Sequence, residues 1–238
     1  MSYLDRIHEC NAHDLVNFRP FWVAGTRVGW IKHAFAQRLG EFPGIFEVAD
    51  DHVALANRLD DYGRRSEAVD GVLNTLATEG LFSGWRNEPY PVRTGFKEAA
   101  YFQMERAAVP RFRVTAYGVH INGYVCEAEG IQMWIGRRAF DKPTFPGELD
   151  NMIAGGQPVG IGLMENVIKE AAEDAAVPAE IAATAVATGA NSYYQEKAEG
   201  LKPDVMFTYD LDLPPDLTPR NTDGEMAEFL RRPAAEVM

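Results

Sequence analysis

The run GGQPVGIGLMENVIKEAAEDAAVP, from Gly155 to Pro178, restricts what this chain can become more than any other stretch. Its first half crowds Gly155, Gly156, Gly160 and Gly162 together, the composition of a loop; its second half has helical periodicity. On a helix turning about 100° per residue, Met164, Val167, Ile168, Ala171, Ala172 and Ala175 form one apolar stripe. The same turn brings Glu170, Glu173 and Asp174 onto one face beside that stripe. Pro178 stops the helix after about four turns.

Three carboxylates near the C-terminal end of a helix oppose its dipole, and Lys169 is the neighbouring cation that offsets them. Most acidic runs on helices are solvated faces. The alternative is a bound cation. An all-oxygen donor set suits a hard ion, Mg²⁺ or Mn²⁺, whereas zinc favours His or Cys.

The run resembles the Nudix box, whose pattern is Gly, five residues, Glu, seven residues, then Arg-Glu-apolar-x-Glu-Glu-x-Gly-apolar. Gly155 matches the first glycine, Glu170 follows the basic Lys169, Ala171 takes the apolar position, Glu173 and Asp174 are the acidic pair and Val177 closes the motif. Four positions depart from it. Ile161 stands for the first Glu, Lys169 for Arg, Asp174 for the second Glu of the pair and Ala176 for Gly. In the family the first Glu and the Arg hold loop to helix, so changing both leaves no stranded charge. Ala176 puts a Cβ where the pattern has none.

Further stretches resemble the branch of Nudix hydrolases associated with thiamin pyrophosphokinase. They are LDNMIAGGQPVGIGLMENVIKEAAEDA, GANSYYQEKAEGLKPDVMFTYDLDLPPD, DGEMAEF, GWRNEPYPV and INGYV, which together span most of the chain. The resemblance implies a Nudix α/β/α sandwich with a mixed sheet and hydrolysis of a diphosphate linkage in a small metabolite. Thiamin diphosphate or its oxidised derivatives are the implied substrates. It further implies a divalent ion held by Glu170, Glu173 and Asp174, with Glu170 and Glu173 serving catalysis. A further acid outside the box often assists; Glu225 in DGEM is the candidate, Glu228 the second. The family continues past the segment matching EFLRRPAAEV into a closing helix, so one wall of the fold is expected to be missing or supplied otherwise.

For substrate contact, the backbone amides of Gly155, Gly156 and the loop to Gly162 are expected to meet phosphate oxygens. Tyr193 and Tyr194, with Trp134 and Tyr117, are the aromatics able to stack on a ring, although aromatics on strands are more often core. Arg86 and Arg93, flanking EPYP, are weaker candidates for an anionic substrate end, and His120 reads as structural. Two other functions stay open: a sensor that binds a phosphorylated metabolite without cleaving it, and a Nudix-like isomerase of isopentenyl diphosphate using Cys126.

At 238 residues, 46% hydrophobic and 24% charged, the chain can bury a full core or two small ones. A net charge of −12 with no dense Lys/Arg run argues against nucleic acid and anionic membranes as partners. Cys10 and Cys126 are too few and too far apart for a disulfide framework. MSYLDRIHEC has no apolar run of a signal peptide, so a cytoplasmic location is expected, and a homodimer stays open. The texture changes near residue 113. Asp51–Asp61 and Ser66–Glu79 read as helices, with a short strand at Phe21–Val23. Alternation then begins at Val114, Ile131, Ala183 and Asp204, with a short helix at PAEIAATA. This predicts a mixed or mainly helical N-terminal domain, residues 1–113, and a Nudix domain, residues 114–238. An exposed linker is expected at Val109–Arg113, marked by Pro110.

Overall fold

The computed structural model of the chain describes residues 2–142, 145–197 and 200–237. Its backbone divides into two compact units, Met1–Ala116 with Ser192–Val205, and Tyr117–Asn191 with Met206–Met238. Among the described residues no helix is long and apolar enough to cross a membrane.

The first unit opens with α1 (Tyr3–Cys10), whose Ser2 hydroxyl accepts from the Asp5 amide while the Asp5 carboxylate accepts from the Ser2 amide. Ala24 and Gly25, both at positive φ, make a two-residue turn between β1 (Phe18–Val23) and β2 (Thr26–Lys32), followed by α2 (His33–Leu39). With β3 (Phe46–Val48) and β4 (Val53–Leu55) these strands form a mixed sheet in the order β2-β1-β4-β3, β4 running parallel to β1. Helix α3 (Tyr62–Thr78) is capped by Asp61, whose carboxylate accepts from the Arg64 amide at 2.8 Å. It packs on β6 (Phe102–Glu105), which pairs with β5 (Pro89–Val92). Phe21, Phe46, Phe102 and Phe112 meet in the core, Phe21 and Phe112 at 5.4 Å between ring centroids.

Two expectations fail here. Asp51–Asp61 is not a helix: Val53 and Leu55 alternate into the core and pair with Phe46–Val48, so the period is that of a strand. Nor is Val109–Arg113 an exposed linker. Val109–Phe112 forms the short helix α4, Pro110 sits where a helix start tolerates it, and Phe112, Arg113 and Val114 are buried. The Phe112 side chain holds the segment in the aromatic core. Residues 1–113 therefore contain more strand than a mainly helical reading allows.

The remaining elements are β7 (Ala116–Glu127), β8 (Gly130–Arg138), β9 (Leu149–Asn151), β10 (Ile153–Gly156), α5 (Leu163–Ala175), α6 (Ala179–Ala182), β11 (Val186–Lys197), β12 (Gly200–Asp212), β13 (Met226–Pro233) and α7 (Ala234–Val237). Seven strands make one sheet in the order β11-β12-β7-β8-β13, with β10 on β7 and β9 on β8. This is the expected α/β class, with the strands starting close to where the alternation predicts them. Helix α5 buries Val167, Ala171 and Ala175 among Val119, Ile121, Ile153 and Leu211. The stripe is narrower than its sequence suggests, because Ala172 is exposed.

Helix α5 ends at Ala176 in the left-handed conformation, φ 54°, ψ 32°, with the Ala176 and Val177 amides closing back on the Ala172 and Ala171 carbonyls. A Cβ there costs what glycine avoids. Ala176→Gly is accordingly expected to stabilise the protein by about 0.5–1 kcal/mol, a gain reduced by glycine's greater freedom in the unfolded chain. Urea denaturation checks it, and a loss of stability would contradict the strain.

Candidate metal centre

Glycine at 155 is a packing requirement of the helix beside it. Gly155 and Gly156 lie at the end of β10, paired with Val119 and Gly118 of β7. A Cβ on Gly155 would stand 2.0 Å from Cδ and 2.3 Å from Oε2 of Glu170. The strand thus leaves room for a carboxylate to lie flat on its backbone.

Beyond β10, two amide side chains shape the loop. Gln157 donates from Nε2 to the Ile161 carbonyl at 2.7 Å, and Asn166, on the first turns of α5, donates from Nδ2 to the Gly156 carbonyl at 2.9 Å. The Gln157 backbone amide donates to the Tyr117 carbonyl at 2.8 Å. Both side chains are at least 98% buried, Gln157 at 2% exposure and Asn166 at 0%. Since Ile161 brings no charge, loop and helix are joined here by neutral hydrogen bonds, each worth about 1 kcal/mol and costly to leave unmade when buried. Reading the sequence missed both residues; the signal was an Asn and a Gln in an otherwise apolar and glycine-rich run.

The three helix acids do not share one environment. Glu173 is exposed and pairs with Lys169 at 2.7 Å, an i,i+4 contact, and the same ammonium lies 3.0 Å from Glu170. Glu170 and Asp174, one turn apart, are buried at 8% and 2% exposure, so they are part of the packed side of α5 rather than a solvated face beside it. The Ala154 amide donates to Asp174 Oδ2 at 3.0 Å. Burial pushes the Asp174 carboxyl up to about 8; the Ala154 bond opposes this, and the charges of Glu170, Asp223 and Glu225 add to it.

A distant loop completes the cluster. The Arg220 amide donates to the Ala175 carbonyl at 3.0 Å, and the Thr222 hydroxyl donates to the Ala172 and Glu173 carbonyls at 3.3 and 2.5 Å. The Glu173 and Ala175 carbonyls are ones that a helix end leaves open, while that of Ala172 also accepts from the Ala176 amide. These bonds also dock the segment that carries Asp223 and Glu225, in which the Gly224 amide donates to Asn221 Oδ1 and the Glu225 amide to Asp223 Oδ1. Asp174, Asp223 and Glu225 each bring one carboxylate oxygen within 4.8 Å of the others. Of the two acids singled out beyond the box, Glu225 joins this group. Glu228 is on β13, where Arg137 holds it at 2.7 Å in an exposed ion pair. Asp223 was not anticipated.

Three converging carboxylates, one of them buried enough to resist ionising, form a site that a divalent cation would neutralise. The donors are all oxygen, which fits Mg²⁺ or Mn²⁺.

The other candidates are not members of this acidic group. Tyr193 and Tyr194 fall in the first unit, where the Tyr194 amide donates to Asn11 Oδ1 and its ring lies 5.8 Å from that of His13. Tyr117 is buried against Phe207, ring planes 17° apart, and Trp134 packs beside the second core. Arg93 stacks on Phe96 at 4.4 Å and donates to its carbonyl. His120 is pushed down by burial, with Asp150 pulling the other way.

A family model described as a domain of unknown function (DUF4743) matches residues 2–116. Over 99% of its length the chain is 40% identical to Nudix hydrolase 24, chloroplastic, and likewise to Nudix hydrolase 20, chloroplastic, both of Arabidopsis thaliana. It spans 66% of the length of each. The crystal structure of DR0079 from Deinococcus radiodurans is similar at a TM-score of 0.48 and 20% identity, over 63% of this chain and 86% of that one.

Proposed function

We propose that the chain, 40% identical over 99% of its length to two named Nudix hydrolases, is itself a Nudix hydrolase that cleaves a diphosphate linkage in a small metabolite with the help of Mg²⁺ or Mn²⁺. The observation that carries this is the convergence of Asp174, Asp223 and Glu225 at the C-terminal end of the helix that bears the Nudix acids. When bound, the ion would neutralise the diphosphate and lower the pKa of a coordinated water. Asp174 and Glu225 would hold the ion, with Asp223 beside them; Glu173 and Glu170 remain candidates for the same work.

Glu170 is the proposed base. Its carboxylate is held in place against Gly155 and by the Lys169 ammonium at 3.0 Å, and to act as base it would have to take the proton of the attacking water in competition with that ion pair. Gln157 and Asn166 keep the loop leading into α5 in place, and with it the Gly155 and Gly156 backbone proposed to face the phosphates. The proposal includes an accessory role for residues 1–113 in choosing the substrate and a hydrolase role for residues 114–238.

For that substrate we favour thiamin diphosphate or its oxidised derivatives. The supporting features are the stretches that resemble the thiamin-associated branch and the chain's net charge of −12, which suits a ligand with a cationic ring. Cleavage would yield the monophosphate and phosphate. The expected kcat/KM on oxidised thiamin diphosphates exceeds that on ADP-ribose, NADH and oxidised dGTP at least about tenfold, about 1.4 kcal/mol of differential transition-state binding. A panel assay of phosphate and monophosphate release decides it. Preference for a nucleotide would remove the thiamin assignment and leave the chemistry; binding without metal-stimulated cleavage would favour a sensor. Cys126 is exposed near the end of β7 and outside the acidic group, which gives an isomerase no support.

A further inference from the structure

One cation already occupies a place at the acidic group. Lys142 Nζ forms an ion pair with Glu225 Oε2, its side chain only 12% exposed and that of Glu225 30%. The backbone reinforces the pairing. The Lys142 amide donates to the Ala139 carbonyl, and the Ala139 amide donates to the Glu225 carbonyl at 2.9 Å, so the lysine and the glutamate are carried by segments bonded to each other. Glu225 is in turn one of three acids whose carboxylate oxygens lie within 4.8 Å of one another.

An ammonium this close to a divalent site cannot be electrostatically neutral toward it. Before the ion arrives, Lys142 offsets part of the mutual repulsion of Asp174, Asp223 and Glu225. A doubly charged ion among those oxygens would be repelled by the ammonium that Glu225 already holds, since in a partly buried setting like charges repel strongly. The long, flexible lysine stem gives it another option, because a diphosphate held by the ion would bring anionic oxygens to the same place.

We infer that Lys142 is a resident counter-ion of Glu225 that competes with the metal in the empty protein and turns to the diphosphate once metal and substrate are bound. It is thus a further substrate-contacting residue and a brake on metal binding without substrate. The inference deepens, and rests on, the metal site proposed above.

The two halves demand opposite signs from one substitution. In Lys142→Met, which keeps most of the stem, Mn²⁺ alone should bind at least about threefold more tightly than in the wild type, measured from the free-ion signal by electron paramagnetic resonance. Imidodiphosphate, a non-hydrolysable diphosphate, should bind the Mn²⁺-loaded variant at least about threefold more weakly, measured calorimetrically. Lys142→Arg retains the charge and should stay near wild type in both. A variant that had merely lost packing would weaken both ligands together, and that outcome, or unchanged Mn²⁺ affinity, overturns the inference while leaving the metal site standing. Wild-type protein that binds no Mn²⁺ overturns both. Melting temperatures of the two variants confirm that each compared protein is folded.

Discussion

Asp174→Asn should lower metal-dependent diphosphate hydrolysis by about three orders of magnitude or more, and yet make the metal-free protein more stable at neutral and alkaline pH. The loss follows from removing a proposed charged ligand at the point where the other acids converge. The gain follows from burial. In the folded protein this carboxyl is pushed up to about 8, against an ordinary value near 4. Between those values the folded state holds a proton that the unfolded state has released, so stability falls as pH rises through the window from about 4 to 8. Above it the full cost is present, on the order of a few kcal/mol. Asparagine keeps an oxygen for the Ala154 amide and has nothing to ionise.

Melting curves in chelator at pH 5, 7 and 9 check the sign. The wild type should lose stability relative to the variant with increasing pH, and added Mn²⁺ should restore the wild type alone. Parallel pH profiles for the two proteins would mean that Asp174 is not held as the structure has it.

The second large effect concerns Gly155→Ala. The new Cβ would lie 2.0 to 2.4 Å from three atoms of the Glu170 side chain, and at 8% exposure that side chain has little room to swing aside. A destabilisation of about 1–3 kcal/mol is expected, together with loss of most hydrolysis because the proposed base is displaced. If the clash is with Glu170, shortening that residue relieves it. In a Glu170→Ala background the same glycine substitution should cost at least about 1 kcal/mol less, a coupling that a double-mutant cycle by urea denaturation resolves. Equal costs in both backgrounds would show that the strand backbone, and not the carboxylate, is what requires glycine here.

Both predictions concern residues that stand in one short run of sequence, and this is why the run was informative. Helical period links positions three and four apart, so Glu170, Asp174, Glu173 and Lys169 are neighbours by virtue of the helix alone. The position of Ala176, where the family pattern has glycine, likewise follows from the local chain, and its left-handed backbone is what that pattern would require. Strand alternation in residues 114–212 is local in the same sense. Asp51–Asp61 misled because a three-residue strand is too short to show its period, and Pro110 because a proline suits a helix start as well as a linker.

Local sequence therefore carries the helix, its acids and the family pattern they match, but it reads Gly155 and Gly156 as loop, whereas they end strand β10 because β7 is there to pair with them. Tertiary structure alone decided which acids are buried, since that depends on β10 lying under α5. It also decided that Asp223 and Glu225, about fifty positions further along the chain from Asp174, complete the group. No periodicity spans that separation. The physical link is the set of open carbonyls at the end of α5, which Arg220 and Thr222 satisfy, and a bond made for capping thereby sets the position of the proposed metal site.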